Sequence, residues 1–277
     1  MGIPKRTLGK TGVEVTILGL GGEGMLRTFG HEQEAYPLIN RAIDLGINYF
    51  ESARAYSGSE SYYGLALKER RRDIFLTSKS HARDKQGALA HLHETLTNMK
   101  TDYLDLWQVH DVRTEEDMEE IFGPRGALEA FREARDKGMV RFIGVTGHHD
   151  PLITKRCIEM FDFDTVLIPV NPAEPFYKSY TDTVIPPASQ KGMGIVAMKV
   201  YFRGFAARIP DYRGMEPFFR FALSQPVTTA VIGCDDTRQL EENVSFASSY
   251  TAMSQKEQNE LLEFVAPYAR QLMYYKP

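Results

Sequence analysis

The sequence predicts an α/β protein that forms a closed (β/α)₈ TIM barrel. Short runs of β-branched and aliphatic residues recur eight times, and helix-like segments with apolar residues every three or four positions lie between them. Repeated alternation of eight strands with helices is typical of this barrel. The strand-like runs lie near residues 16–20, 48–51, 74–78, 103–110, 142–146, 165–170, 195–198 and 229–232.

The helical segments are bounded by residues that end helices. Gly46, Gly138 and Gly192 each follow a helical pattern directly before a strand-like run, where glycine commonly ends a helix. Residues 4–15, with a Lys-Thr-Gly turn in the middle, predict a β-hairpin before the barrel, and residues 254–270 predict a short C-terminal helix extension. No linker or low-complexity segment interrupts the chain, so we expect residues 1–277 to form a single domain. The main helical patterns cover residues 32–45, 85–99, 126–137, 152–160 and 237–248.

Composition narrows the functional classes. A formal charge of −4 provides no broad basic surface, so we expect no nucleic-acid partner. Cys157 and Cys234 are the only cysteines, too few for a disulfide framework or a CxxC metal site, which favours a reducing cytoplasm. The N-terminus lacks the apolar stretch of a signal peptide, and no run is long enough to cross a bilayer, so we expect no membrane association.

Four polar residues indicate the chemistry. Glu51, Lys79 and His110 each end an apolar strand-like run, and Tyr56 follows five positions after the first of them. Strand ends converge on the ligand crevice in a parallel barrel, so these side chains are expected to meet. Lys79 beside Tyr56 would favour the phenolate, Glu51 would hold the lysine charged, and His110 could orient a carbonyl oxygen. The four residues therefore predict proton transfer to a carbonyl group.

The stretches around these residues, in their order and spacing, resemble the aldo-keto reductase family over nearly the whole chain. The resemblance implies a hairpin that plugs the N-terminal end of the barrel. It also implies a nicotinamide-dependent oxidoreductase that reduces an aldehyde or ketone to an alcohol by direct hydride transfer without a metal, with Tyr56 as the general acid. The stretches that carry the resemblance are residues 7–12, 18–21, 46–56, 76–79, 105–110, 138–146 and 240–243.

Several positions depart from the family pattern. Glu51 stands where the family has Asp, Leu167 replaces a Gln that binds the nicotinamide carboxamide, and Met198 replaces an aromatic residue that stacks on the nicotinamide ring. The extra methylene of Glu51 shifts its carboxylate by about one bond length, and errors of about 1 Å matter at a reacting centre. The resemblance and the expected loop positions assign the cofactor to Gly22, Glu23, Thr146, Gly147, Asn171, Met198, Lys199, Arg203, Gly233, Cys234, Asp235, Arg238, Glu242 and Asn243.

The loop at residues 233–238 bears on the choice of coenzyme. The NADP binders of the family commonly carry a Lys early in this loop and an Arg further on, whereas Asp235 and Asp236 stand here. Two carboxylates repel a 2′-phosphate, and an acidic side chain can instead accept hydrogen bonds from a free ribose 2′-hydroxyl. We predict NADP(H), because Arg238 or Arg203 could reach the phosphate, and NAD(H) is the open alternative.

Two other functions stay open at the sequence level. The altered Glu51, Leu167 and Met198 are also consistent with a cofactor-binding regulatory module that keeps the barrel but turns over little substrate, as some relatives of these reductases that accompany ion channels do. The second alternative is a Schiff-base lyase on the same fold, with Lys79 or Lys199 forming the Schiff base. The identity of the carbonyl substrate and the oligomeric state are not readable from the sequence.

Two further patterns are assigned no separate site. The stretch at residues 19–24 reads G-x-G-x-x-G, but no helix follows its last glycine, so we interpret it as the first strand-to-helix loop rather than a Rossmann fingerprint. His148 and His149 have no carboxylate pattern nearby in the sequence, so no metal centre is expected.

Overall fold

The computed structural model describes residues 2–277, and among these residues eight parallel strands close into a barrel. Each strand pairs with its neighbour in chain order, and the last pairs with the first. The predicted (β/α)₈ TIM barrel is therefore confirmed. Its strands are β3 (Leu18–Gly24), β4 (Tyr49–Glu51), β5 (Phe75–Ser80), β6 (Leu104–Val109), β7 (Val140–Thr146), β8 (Thr165–Pro169), β9 (Gly194–Met198) and β10 (Thr229–Cys234).

Helices surround the barrel on its outer side, mostly where the apolar periodicity predicts them. Trp107 on β6 stacks on a helical phenylalanine, Phe131, with ring centroids 3.7 Å apart, and both side chains are fully buried between the sheet and the helix layer. The helices are α1 (Glu32–Asp44), α2 (Ser59–Ala66), α3 (Lys85–Met99), α4 (Glu115–Phe122), α5 (Ala127–Asp136), α6 (Pro151–Met160), α7 (Tyr180–Thr183), α8 (Ile185–Gln190), α9 (Glu216–Ser224), α10 (Thr237–Ser248), α11 (Gln255–Val265) and α12 (Ala269–Leu272).

The predicted hairpin closes the bottom of the barrel. Strands β1 (Lys5–Thr7) and β2 (Glu14–Thr16) pair antiparallel, and Leu8 between them is fully buried in the barrel interior. Gly9 has a positive φ of 50° and lies so close to the start of β9 that a Cβ would meet the backbone nitrogen of Gly194 at 2.2 Å. The hairpin is therefore a plug that requires glycine at its closest approach.

The barrel interior is filled mainly by large apolar side chains. Tyr49 stacks on Phe75 with ring centroids 5.5 Å apart, and Phe75 stacks on Phe142 at 6.2 Å. Leu106 and Leu167 complete this layer and are also buried. Because the interior below the strand ends is packed, ligands can enter only at the upper face.

The first barrel strand begins and ends later than predicted: it covers Leu18–Gly24 rather than residues 16–20. The glycines at residues 19–24 belong to β3 rather than to the following loop, since Gly24 still pairs with Cys234 of β10 across a register shift. Neighbouring groups pack closely against this strand: a Cβ on Gly19 would meet the ring of Tyr49 at 2.8 Å. Glycine here permits close packing and does not indicate a turn.

The C-terminal extension is confirmed, but its helix is broken. Helix α11 ends at Val265, and Pro267 sits in a short 3₁₀ turn before α12 begins. Proline cannot donate the backbone hydrogen bond that would continue the first helix. Among residues 2–277, no helix has the length and apolar character needed to cross a membrane.

Replacing Leu8 with Ala tests the plug. We expect a loss of about 2–5 kcal/mol in the free energy of unfolding, because the substitution leaves a cavity in the closed interior. Urea unfolding measures the change. Leu152→Ala is the control, since this side chain is 61% exposed and its loss should cost no more than about 0.5 kcal/mol. Equal effects of the two substitutions would contradict a packed plug.

Candidate active site

The carboxyl ends of the strands border a cavity of about 720 Å³. Glu51 at the end of β4 and Tyr56 in the loop that follows lie in its wall. Leu167 of β8 and Met198 of β9 line it as well. The predicted convergence of strand ends on one crevice is therefore present in the structure.

A buried ion pair lies at one side of this cavity. The ammonium group of Lys79 contacts the carboxylate of Glu51 and donates a hydrogen bond to the carbonyl oxygen of Ser52 at 2.9 Å. Both charged side chains are almost fully buried. The ammonium nitrogen lies 4.9 Å from the ring centroid of Tyr56, and the guanidinium of Arg27 lies 4.8 Å from the same centroid. The tyrosine ring is therefore bracketed by two cations.

Glu51 is held by the first barrel strand. The backbone nitrogen of Gly22 donates to Oε2 of Glu51 at 3.0 Å. A Cβ at position 22 would meet the carbonyl oxygen of Glu51 at 2.7 Å and Oγ of Ser59 at 2.5 Å, so only glycine permits this approach. The longer glutamate side chain thus reaches the lysine while its second oxygen is fixed by the neighbouring strand.

Burial governs the protonation of the tyrosine. It raises the pKa of Tyr56, Glu23 adds to the rise, and Arg27 and Arg203 oppose it. The raised pKa keeps the phenol of Tyr56 protonated near neutral pH, which is the form that can donate a proton. Burial lowers the pKa of Lys79, and the negative charge of Glu23 opposes this shift. The carboxylate of Glu51, in contact with the ammonium group, also favours the charged form.

His110 follows β6 and faces the tyrosine. Its ring is perpendicular to that of Tyr56, with centroids 6.2 Å apart. Burial lowers the pKa of His110 well below its usual value, and the charge of Lys79 adds to this shift. The Nδ1 atom is buried and has no hydrogen-bond partner among the described residues. The structure thus brings the four residues of the predicted site together.

Three cations surround Glu23, which lines the cavity. Its carboxylate lies 2.6 Å from Arg27, 3.3 Å from Lys199 and 3.8 Å from the Nε atom of Arg203. Burial alone would raise the pKa of Glu23, but these charges outweigh burial and lower it. One carboxylate among three cations leaves the cluster with an excess of positive charge, which suits an anionic ligand group.

The far end of the cavity is built by β10 and α10. Asp235, Arg238 and Asn243 line it. The hydroxyl of Tyr201 donates to Oδ1 of Asn243 at 2.7 Å, and Arg238 is largely exposed, with Asp236 3.6 Å away. Most of the predicted cofactor residues thus lie in one cavity wall: Glu23, Met198, Lys199, Arg203, Gly233, Asp235, Arg238, Glu242 and Asn243.

The other predicted cofactor residues lie outside the cavity lining, and several of them contact other parts of the protein. Thr146 accepts a hydrogen bond from the backbone of Asp111 at 2.8 Å, and Gly147 packs where a Cβ would meet Oγ1 of Thr154 at 2.0 Å. Burial raises the pKa of Cys234 to about 12, so its thiol is neutral. Gly22, Thr146, Gly147, Asn171 and Cys234 do not line the cavity.

Asn171 is engaged by a segment far away in the sequence. Its amide nitrogen donates to the hydroxyl of Tyr275 at 2.9 Å and to the carbonyl oxygen of Lys199 at 3.2 Å. Next to it, Lys276 forms a fully buried ion pair with Glu174 at 2.7 Å. The C-terminal segment at residues 273–276 therefore packs against the loop after β8. Its Tyr275 accepts a hydrogen bond from the side-chain amide of Asn171, which the resemblance assigns to the nicotinamide.

Sequence reasoning missed several lining or flanking residues. Gln239 lies in the first turn of α10 and lines the cavity, a position that the helix prediction could have indicated. Tyr212 and Met215 also line the cavity, and Arg27 flanks Tyr56, but none of these three carries a sequence signal.

Comparisons with known proteins place the chain in a class of oxidoreductases. The profile described as the Aldo/keto reductase family matches residues 17–214. The chain belongs to this family.

Individual proteins are similar to this chain in sequence or in fold. An uncharacterized oxidoreductase of Bacillus subtilis is 26% identical over 88% of this chain and 91% of its own length, and L-galactose dehydrogenase of Arabidopsis thaliana is 29% identical over 52% of this chain and 49% of its own length. The holo form of an aldo-keto reductase from Bacillus halodurans superposes with a TM-score of 0.79 at 22% identity, covering 95% of this chain and 96% of the other. An aldo-keto reductase from Klebsiella pneumoniae in complex with NADPH superposes with a TM-score of 0.75 at 19% identity, covering 97% and 96%.

A double-mutant cycle on Lys79 and Glu51 tests the buried ion pair. Lys79→Met leaves a buried carboxylate without its partner and should cost about 3–5 kcal/mol in the free energy of unfolding. Adding Glu51→Gln should restore part of that loss, because the unpaired charge is removed. Urea unfolding of the single and double variants measures the coupling.

The control is the exposed pair of Lys256 and Glu260, whose nearest charged atoms are 3.8 Å apart. Lys256→Met should change stability by no more than about 0.5 kcal/mol. Strictly additive costs at Lys79 and Glu51 would contradict the pairing.

Proposed function

We propose that the protein reduces an aldehyde or ketone to an alcohol with a nicotinamide coenzyme. The observation that carries this proposal is the buried pair of Lys79 and Glu51 beside the ring of Tyr56, at the wall of the large cavity. A protonated phenol with a fixed cation beside it suits the donation of a proton to a carbonyl oxygen. Membership in a family of oxidoreductases supports the redox part of the proposal.

Each polar residue has a distinct role in this mechanism. Tyr56 enters the reaction protonated and transfers its proton to the carbonyl oxygen as negative charge develops there. Lys79, 4.9 Å from the ring centroid, stabilises the phenolate that remains. Glu51 keeps the ammonium charged and in place. His110, perpendicular to the tyrosine ring, orients the carbonyl group.

The cavity is suited to part of a dinucleotide. Lys199 and Arg203 would hold the pyrophosphate, and Asn243 would contact the adenine, while the bound coenzyme supplies the hydride for the carbonyl carbon. Thr146 and Asn171, the candidates for the nicotinamide carboxamide, are bonded instead to Asp111 and Tyr275. The residues therefore fit the adenine nucleotide half better than the nicotinamide half.

We infer a preference for NADP(H) over NAD(H). Arg238 lines the cavity and its side chain is 81% exposed, so only its exposed pair with Asp236 must be exchanged for it to turn toward a 2′-phosphate. Asp235 opposes this preference because its carboxylate repels the same phosphate. Relatives named as NADPH-dependent codeinone reductases, from Papaver somniferum, also support the inference.

A second candidate function is a cofactor-binding regulatory module with little turnover. The engagement of Asn171 by Tyr275 favours it, because a weak hold on the nicotinamide would allow the coenzyme to bind without efficient hydride transfer. Coenzyme binding without oxidation of the reduced coenzyme, across a panel of aldehydes and ketones, would favour this module over the enzyme.

Replacing Tyr56 with Phe tests the enzymatic proposal. We expect turnover of the best carbonyl substrate in that panel to fall roughly 100-fold or more, because the general acid is lost. Coenzyme affinity, measured by fluorescence titration, should be unchanged. Tyr36→Phe is the matched control, since this tyrosine of α1 is half exposed and does not line the cavity. Turnover like that of the wild type in the Tyr56 variant would refute the assignment.

The coenzyme preference is tested by separate titrations with NADPH and NADH. Arg238→Ala should weaken NADPH binding about tenfold, the equivalent of one charge-assisted contact, and leave NADH binding unchanged. Asp235→Asn should strengthen NADPH binding. Tighter binding of NADH to the wild type, together with no effect of Arg238→Ala, would reverse the inferred preference.

A further inference from the structure

Three side chains with metal-binding atoms meet beside the candidate active site. Asp111 follows β6 directly after His110, and His148 and His149 follow β7. Oδ1 of Asp111 lies 3.2 Å from Nδ1 of His148, and Oδ2 lies 3.8 Å from Nε2 of His149. One ligand atom from each residue lies within 4.8 Å of the others.

The inner atoms of this cluster have no hydrogen-bond partner. Oδ1 of Asp111 and Nδ1 of His148 are both buried and face each other at 3.2 Å without forming a hydrogen bond, and within residues 2–277 neither atom has another hydrogen-bond partner. Asp111 is only 7% exposed. Arg113 bonds the other carboxylate oxygen, Oδ2, at 2.6 Å, so the unpartnered oxygen is the one that faces His148. Buried polar atoms without partners are costly, and a bound ion is one way to satisfy them.

The spacing of these atoms suits a transition metal. Two ligands bound tetrahedrally at about 2.1 Å from a zinc ion stand about 3.4 Å apart, close to the observed separation of Asp111 and His148. Two imidazoles with one carboxylate favour Zn²⁺, Fe²⁺ or Co²⁺ over Mg²⁺ and Ca²⁺, which prefer oxygen ligands alone. We propose that Asp111, His148 and His149 form a site for a divalent transition-metal ion at the mouth of the barrel.

The fold fixes the carboxylate ligand in advance. Asp111 has a φ of 53°, in the left-handed region, and its backbone nitrogen donates to Oγ1 of Thr146 at 2.8 Å. Its carbonyl oxygen accepts a hydrogen bond from Arg83 at 2.7 Å. Thr146, which the resemblance assigns to the coenzyme, here positions a metal ligand.

The histidine loop is fixed from the other side. Gly147 packs against Thr154 with no room for a Cβ, and the ring of His148 lies 6.3 Å from that of Tyr275 in a perpendicular arrangement. His149 is more exposed than His148. The loop therefore holds one histidine inside and leaves the other near the opening.

Three protein ligands leave coordination positions for water or for an oxygen atom of a small molecule. Because Arg113 shares the carboxylate and its side chain is half exposed, we expect the ion to be exchangeable rather than permanently bound. Asp111 lies far from the two histidines in the sequence, which is why the sequence alone predicts no metal centre here.

Cobalt titration of the chelator-treated protein tests this site. Co²⁺ should give visible absorption bands typical of a tetrahedral or five-coordinate ion, saturating at one ion per chain. His149→Ala and Asp111→Asn should each weaken Co²⁺ binding at least tenfold, since each removes or impairs one of three ligands. His93→Ala, which removes an exposed histidine of α3, is the matched control and should leave the affinity unchanged.

Loss of the bands in both site variants, with circular dichroism spectra like that of the wild type, would support the site. Absence of the bands in the wild type, or equal affinities in the wild type and in the His149 variant, would overturn it. Because the readout uses neither coenzyme nor carbonyl substrate, it is independent of whether the protein reduces carbonyl compounds.

Discussion

The buried ammonium of Lys79 is the constraint on which the candidate site depends. A desolvated charge is tolerated only when partners surround it, and here Glu51 and the carbonyl oxygen of Ser52 supply them. The pairing of β4 with β5 brings these groups near the lysine, since Glu51 is in register with Thr77, two residues before Lys79 on the same face of β5. Gly22 then lets β3 approach closely enough to bind the second carboxylate oxygen. Three adjacent strands are thus arranged around one charge.

A second group of paired charges lies at the mouth of the barrel. Glu23 holds Arg27, Lys199 and Arg203 together, so positive charges that would otherwise repel one another are gathered at one wall of the cavity. An incoming anionic group would therefore find these cations already in position and would compete with Glu23 for them. Such prior arrangement reduces the side-chain entropy lost on binding.

Local patterns predicted the barrel and the four polar residues because both follow from residues close together in the sequence. Strand periodicity places Lys79 at a strand end, and that position alone brings it to the crevice. Contacts between distant segments were not predictable in this way: the engagement of Asn171 by Tyr275, and the meeting of Asp111 with His148, depend on tertiary packing. The glycines of β3 were misread because groups distant in the sequence pack against them: Gly19 leaves room for the ring of Tyr49, and Gly22 leaves room for the carbonyl oxygen of Glu51.

The buried ion pair between Lys276 and Glu174 has a consequence for the order of folding. Its two residues are about a hundred positions apart, and closing so long a loop is entropically unfavourable until the barrel between them has formed. The C-terminal segment should therefore dock late. Once the segment has docked, a small separation of Lys276 from Glu174 is unfavourable, because it would leave two buried charges without partners. We therefore expect the loop after β8 and residues 273–276 to open together rather than independently.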